Sequence, residues 1–377
     1  MSATPSPTGS RKAQHLAINL EADVAAKGVD SGLEAYGFVH CALPEIDLEE
    51  VDTSTTWLGR RLRAPLLISC MTGGVPEAAR VNAVLAETAE ACGVALGLGS
   101  ARVLLESPGA PGFDVRRLAP SVPLLANLGA VQLNYGVGVD DCRRLVELLG
   151  ADALVLHLNP LQEALQAEGD TDFRALIGRI EAVARALEVP VVVKEVGWGL
   201  DAGLARALVD AGAAAIDVAG AGGTSWSEVE RHRLEGRRAR VAGAFAGWGI
   251  PTADALLAAR RAVPEAMLIA SGGVRKGMDV AVAVALGADL VGAAGPVLRA
   301  AAGGGAAAAT DLLEEWREVL RIAMFCVGAA DLAQLRATSR LVRDGAVVAR
   351  PARRHRRPAA VTRQPTTLAS ARLARPG

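Results

Sequence analysis

"ADALVLHLNPLQEALQAEGD", residues 151–170, begins as a buried strand and ends as a chemical site. Leu154, Val155 and Leu156 form an aliphatic run behind Asp152, and His157, Asn159, Gln162 and Glu163 follow in close succession. Parallel strands buried on both faces read as such apolar runs, and in barrels they present their chemistry where the strand ends and the next loop begins.

The same unit recurs along the chain. Strand-like runs are "PLLIS" (65–69), "VALGLG" (94–99), "PLLANLG" (123–129), "ALVLHL" (153–158), "VPVVVKE" (189–195), "AAIDVAG" (214–220), "MLIASGG" (267–273) and "LVGAAG" (290–295). Between or after them lie amphipathic stretches such as "EAARVNAVLAETAEACG", "FRALIGRIEAVARALE" and "TADALLAARRAV", several closed by a glycine as helix ends often are. Eight such units predict a closed (β/α)8 TIM barrel. An open doubly wound sheet is the alternative, because periodicity does not itself show closure.

Composition agrees with a large α/β core: of 377 residues 51% are hydrophobic and only 3% aromatic, so small aliphatic side chains must do the packing. The five cysteines have no C-x-x-C spacing and read as reduced thiols. The first residues lack an apolar signal region, and Asp289 and Arg299 interrupt the best apolar run below the roughly 18 residues a membrane span needs. A cytoplasmic protein with no membrane attachment is expected. The net charge of −1 conceals eight arginines and no acid in residues 346–377, which leaves the preceding body at −9. The expected organisation is a flexible leader (1–10), an N-terminal segment covering the barrel mouth (11–64), the barrel with closing C-terminal helices (65–340), and an Arg-rich disordered tail (341–377). The tail lacks interleaved aromatics, so no specific nucleic-acid partner is expected.

Polar residues gather at nearly every strand end. Cys70, Met71 and Thr72 follow the first strand, Ser100 and Arg102 the second, and Asn127 lies in the third. "SGGVR" and "GAAGP" close the seventh and eighth, where barrels bind phosphate through backbone N–H groups, although paired glycines also simply make turns. Lys194 is one of only four lysines among forty basic residues, and three readings stand open for it: a Schiff-base nucleophile, a charge beside an electron-rich cofactor ring, or a structural pair with Glu195 or Asp217. Glu163 with neutral amide and imidazole neighbours suits Mg2+ held partly through a phosphate, whereas zinc would want more His or Cys. Arg11, Lys12 and His15 in "RKAQH" could grip a diphosphate if that segment folds over the mouth; a solvated basic run is the plainer reading.

In order, "RKAQH", "FVHCALPEID", "PLLISCMTGG", "LGLGSAR", "ANLGAVQLNYG", "LHLNPLQEALQAEGDTDF", "VPVVVKEVGWG", "DVAGAGGTSW" and "SGGVRKGMD" resemble the type 2, FMN-dependent isopentenyl diphosphate isomerases over roughly residues 11–335. The resemblance implies a (β/α)8 barrel that interconverts isopentenyl and dimethylallyl diphosphate with reduced FMN and Mg2+, and NADPH as the reductant. It implies FMN contacts at Cys70, Met71, Thr72, Ser100, Asn127, Lys194 and Thr224, with the FMN phosphate near Gly273, Val274, Arg275, Ala294 and Gly295. It further implies diphosphate binding by Arg11, Lys12, His15, Ser100 and Arg102, Gln162 near the reacting carbons, His157 and Asn159 shaping the same pocket, and Glu163 on Mg2+. Gln162 and His157 are thereby the expected catalytic residues. A homo-oligomer, tetrameric or larger, is also implied.

One departure is Ala101, where many relatives carry Gln between the serine and the arginine; it loosens one contact and keeps both flanking residues. The segment 221–266 carries Trp226, Phe245 and Trp248 and reads either as a lid or subunit contact or as an inserted helix. The nearest rival is an FMN-dependent 2-hydroxy-acid oxidase or dehydrogenase, which would share the glycines and the lysine. A noncatalytic flavin-binding barrel with a basic recruiting tail is the rival of a different class.

Overall fold

The computed structural model of the chain describes residues 7–71 and 73–347. Eight parallel strands close into a barrel: β1 (Leu66–Ile68), β2 (Ala95–Gly97), β3 (Leu124–Gly129), β4 (Ala153–Leu158), β5 (Val191–Glu195), β6 (Ala215–Asp217), β7 (Met267–Ser271) and β8 (Leu290–Ala293), with β8 pairing back to β1. Each lies within the run expected from the sequence, and closure excludes the open sheet. Helices Pro76–Cys92, Val139–Leu149, Leu176–Ala186, Ala202–Asp210, Thr252–Ala262, Gly277–Leu286 and Gly295–Val327 contribute the outer layer, the last with a break at Gly305.

Alternation along the strands explains both cores. Residues pointing outward, such as Leu154, Leu156, Val191 and Val193, pack under the helices. Those pointing inward, Leu67, Ala95, Leu125, Ala153, Val155, Val192, Ala215, Ile269 and Leu290, fill the barrel. Each such aliphatic side chain taken fully from water contributes about 1.5–3 kcal/mol. Two residues further along the same inward faces the apolar layer gives way to Ser69, Asn127, His157, Lys194, Asp217 and Ser271. The top of the barrel is polar because the period of two delivers each of these side chains inward, above a dry floor.

The bottom is plugged. A hairpin of Thr55–Trp57 and Arg60–Leu62 inserts Trp57 and Leu62 into the inner core. Beside it Asp152 accepts hydrogen bonds from Arg60 (Nη2, 2.9 Å), Arg116 (Nη2, 2.6 Å) and the Leu124 N–H (2.8 Å).

Two boundaries differ from the sequence reading. The N-terminal helix spans Pro7–Glu21, so residues 7–10 are helical rather than a leader. Leu341–Arg343 pairs antiparallel with Tyr36–Phe38 and buries Leu341, with Ala346–Val347 adding a third strand, so the domain continues through 347. An alternating Leu-Val-Arg stretch satisfies the edge of Tyr36–Phe38, which the arginine-rich composition nearby concealed. The rest of the leader and tail lie outside the described residues. Among the described residues no helix is long and apolar enough to cross a membrane.

Candidate active site

A cavity of about 660 Å³ opens at the C-terminal ends of the strands. Every site residue expected from the sequence lines it except Thr72, which lies outside the described residues. Cys70, Met71, Ser100, Asn127, Lys194 and Thr224 surround its floor and sides. Gly273, Val274, Arg275, Ala294 and Gly295 line it from the ends of β7 and β8, and His157, Asn159, Gln162 and Glu163 from the end of β4, with Arg102 after β2.

The floor is held by a short hydrogen-bonded net. Lys194 Nζ lies 3.2 Å from Asp217 and donates to Ser271 Oγ at 3.3 Å, and Ser271 Oγ donates to Asp217 Oδ1 at 2.6 Å. The buried pair with Asp217 is thus real, and it still leaves Lys194 on the cavity wall. Asp217 Oδ2 has the ion-pair contact but no hydrogen bond of good angle, so the attraction is electrostatic rather than directional. His157 Nδ1 lies 2.8 Å from Asn127 Oδ1. An amide oxygen only accepts, so Nδ1 carries the proton and Nε2 presents its lone pair. Burial, with Lys194 and Lys12 adding repulsion, pushes the His157 pKa down to about 4, so the ring is neutral. Burial also raises the Cys70 thiol to about 11, which makes it a packing group and not a nucleophile.

In the loops after β6 and β7 glycine is required by close packing. A Cβ on Gly223 would stand 2.5 Å from the Gly273 backbone nitrogen, and Gly272 and Gly273 adopt φ of 101° and 70°. The loops after β6 and β7 therefore touch backbone to backbone. The helix Gly295–Val327 begins at the adjoining wall, aiming its unpaired first N–H groups there, and Arg299 on its first turns also lines the cavity.

The mouth is roofed by the N-terminal helix. His15 Nε2 bonds Glu230 at 2.8 Å, and its ring packs edge-on against Trp226 at 5.2 Å. Arg11 donates to Gln166 Oε1 at 2.9 Å, and Gln166 donates to Glu230 Oε1 at 3.0 Å. Lys12 Nζ donates to the Ser100 carbonyl at 2.7 Å. Burial, then Arg11 and Arg102, pushes the Lys12 pKa down to about 8. Segment 221–266 is thus part roof, through the helix Trp226–Arg233, and part ordinary helical packing. Ala101 is fully buried and its N–H donates to the Asn127 carbonyl at 2.7 Å, so the substitution sits in the wall, with Ser100 and Arg102 on the cavity.

Several residues of this site escaped the sequence reading. Glu230, fully buried, sits in "SEVERHR", a charge-dense run that looks solvated. Gln132 on the short 3-10 helix Ala130–Asn134, and Gln166 and Asp170 after the helix Pro160–Leu165, line the cavity where a polar residue carries no signal of its own. Arg299 lies beyond the glycines on a helix that reads as apolar. Ser69 Oγ, Gln132 Oε1 and Asn159 Oδ1 are buried on the cavity wall with no hydrogen-bond partner, which marks a surface made for a polar ligand.

Fold and site together define a flavin-type barrel enzyme, and the profile of the FMN-dependent dehydrogenase family matches residues 153–343. The isopentenyl-diphosphate delta-isomerase of Stutzerimonas stutzeri is 55% identical over 330 residues, covering 87% of this chain and 95% of that protein. The enzyme of the same name from a Synechococcus species is 54% identical over 340 residues, covering 89% and 96%. The chain belongs to the FMN-dependent, type 2 isopentenyl-diphosphate delta-isomerase family. Among solved structures, a mandelate oxidase mutant with a monooxide FMN adduct superposes with a TM-score of 0.60 at 23% identity, covering 89% of this chain and 92% of that one. A putative lactate oxidase from Pediococcus acidilactici gives 0.63 at 18% identity, covering 91% and 96%. These two likenesses show the barrel alone, so the oxidase alternative has much less behind it.

Proposed function

We propose that the protein interconverts isopentenyl and dimethylallyl diphosphate, with reduced FMN and Mg2+ bound in the cavity. The observation that carries this reading is a half-buried cluster of cations, Arg11, Lys12 and Arg102, lining the same cavity as the His157, Asn159, Gln162 and Glu163 group. Burial first, and then repulsion from Arg11 and Arg102, depresses the Lys12 pKa, and a bound diphosphate would offset that repulsion.

The cavity suits FMN. The glycine backbones of the β6 and β7 loops leave room that a Cβ would fill, and the helix N-terminus with Arg299 offers an anion site for the phosphate, beside Gly273, Val274, Arg275, Ala294 and Gly295. Lys194 and Asn127 would border the ring, with Cys70, Met71, Ser100 and Thr224 around it and Thr72 expected beside them. Reduced FMN, when bound, supplies an electron-rich plane beside the reacting carbons. For magnesium, no group of three or more His, Cys, Asp or Glu able to hold a metal occurs among the described residues. Glu163 alone therefore suits an ion completed by the diphosphate and water rather than a resident cage.

The reaction adds a proton to the terminal alkene carbon and removes one from the methylene on the far side of the branch, with no net change in protons or electrons. Arg11, Lys12, His15, Ser100 and Arg102 hold the diphosphate end and so fix where the alkene lies. Neutral His157 and Asn159 shape the pocket without adding charge that would repel cationic character at the branched carbon. Gln162, buried on the same wall, is placed to relay or orient the moving proton. Closure by the N-terminal helix excludes water that would trap such a centre. NADPH as the reductant, a cytoplasmic location and a tetrameric or larger assembly form part of the same proposal, resting on the family resemblance.

The test is anaerobic incubation of the FMN-loaded protein with dithionite, Mg2+ and isopentenyl diphosphate in D2O, read by NMR. Deuterated dimethylallyl diphosphate that forms only with reduced flavin is the expected result. Untouched substrate with reduced, flavin-loaded protein would overturn the reading and favour an oxidase or a noncatalytic barrel.

A further inference from the structure

We propose that Asp170 is a positioning residue that joins the arginine of the diphosphate clamp and the carboxylate for the metal into one rigid unit. The inference rests on the function proposed above and assigns a role to a residue outside the expected set.

Asp170 stands at a point where three βα loops meet. Its Oδ2 accepts from Arg102 Nη1 at 3.0 Å, which follows β2, and from Gln132 Nε2 at 2.9 Å, which follows β3. Its backbone N–H donates to Glu163 Oε2 at 2.8 Å, which follows β4. The other oxygen of Glu163 accepts from Asn159 Nδ2 at 2.8 Å. Glu163 is therefore gripped on both oxygens by neutral donors, and among the described residues it makes no salt bridge.

The local chain is built for this contact. The short helix Pro160–Leu165 ends just before it, and the backbone doubles back until Gly169 lies against Glu163. A Cβ at 169 would overlap the Glu163 carbonyl, so only glycine permits the return that delivers the Asp170 N–H to the Glu163 side chain. One residue thus fixes the Arg102 fork with its side chain and the Glu163 carboxylate with its backbone. The distance between a cation and a metal ligand is what a diphosphate spans, since it can take a guanidinium at one phosphate and share Mg2+ at the other.

Charge and position predict opposite signs when Asp170 is neutralised. A carboxylate beside an anion site repels the anion, so by Coulomb's law alone Asp170→Asn tightens diphosphate binding. If Asp170 positions Arg102, the same change releases the guanidinium and weakens binding despite the removed charge. The experiment is calorimetric titration of the FMN-loaded protein with inorganic pyrophosphate, with and without Mg2+. In the unmodified protein pyrophosphate and Mg2+ should each raise the other's affinity by the same factor. In Asp170→Asn that mutual factor should fall about tenfold and pyrophosphate should bind more weakly, within the usual range of coupling between sites. The flavin absorption spectrum should stay unchanged, and Asp170→Glu should recover part of the loss.

Gln132→Met, which removes the second donor to Asp170 and leaves all charges in place, should move both quantities in the same direction by less, and it serves if Asp170→Asn does not fold. Pyrophosphate bound equally or more tightly by Asp170→Asn, with the mutual factor intact, would overturn the inference while the proposed function stands. An unmodified protein that binds no pyrophosphate at all would overturn both.

Discussion

Raising the pH through the titration of Lys12 should release the diphosphate before it unfolds the protein. Lys12 is held down to about 8 from its ordinary 10.5 by burial first and then by Arg11 and Arg102. At pH 7 it is charged in about nine molecules of ten, and at pH 9 in about one of eleven. If the ammonium form is the one that grips the ligand, pyrophosphate affinity falls about tenfold across that interval, since apparent affinity follows the protonated fraction. Near pH 8 binding should take up a fraction of a proton, visible as a dependence of the titration heat on the buffer's ionisation enthalpy. Lys12→Arg, charged throughout, should flatten the profile. Folding has the opposite slope: the unfolded chain binds more protons between about 8 and 10.5, so this lysine's contribution to stability improves as pH rises through that window. A flat affinity from pH 7 to 9 in the unmodified protein, or an equal fall in Lys12→Arg, would refute the assignment.

Other consequences are accessible by simple variants. Asp152→Ala leaves Arg60 and Arg116 without their shared carboxylate at the barrel bottom and should cost about 2–4 kcal/mol in urea unfolding, with flavin binding to the surviving folded protein unchanged. Gly223→Ala forces apart the loops after β6 and β7 and should weaken FMN binding at least about tenfold in a fluorescence titration, the equivalent of roughly 1.4 kcal/mol. The His157 ring should titrate near 4 by NMR, leaving it neutral from pH 5 upward; a midpoint above 6 would contradict the neutral role given to it.

The strands and most helices were legible because buried parallel strands must be apolar and their helices must be amphipathic. The plug hairpin was not. Its turn, Leu58-Gly59, holds both residues at positive φ, 49° and 73°, a conformation usually announced by Asn-Gly, and leucine hides it. The cavity wall was readable wherever a polar residue interrupted an apolar strand, as at His157 and Lys194. Glu230 and Asp170 could not be read, since a carboxylate on a charge-dense helix or in a Gly-containing loop looks the same whether it faces water or an arginine. Arg11, Lys12 and His15 were visible as a cluster, but only the docking of the N-terminal helix against Trp226–Arg233 shows that they line the cavity.

The pairing of Tyr36–Phe38 with Leu341–Arg343 also sets a schedule. Tyr36–Phe38 is synthesised long before the strand Leu341–Arg343 that pairs with it. At ordinary rates of synthesis the two are separated by roughly 15–60 seconds. Late in that interval the growing barrel is complete in its eight strands while the edge of Tyr36–Phe38 stays open. A chain interrupted before residue 341 would keep all eight barrel strands and leave the edge of Tyr36–Phe38 unpaired.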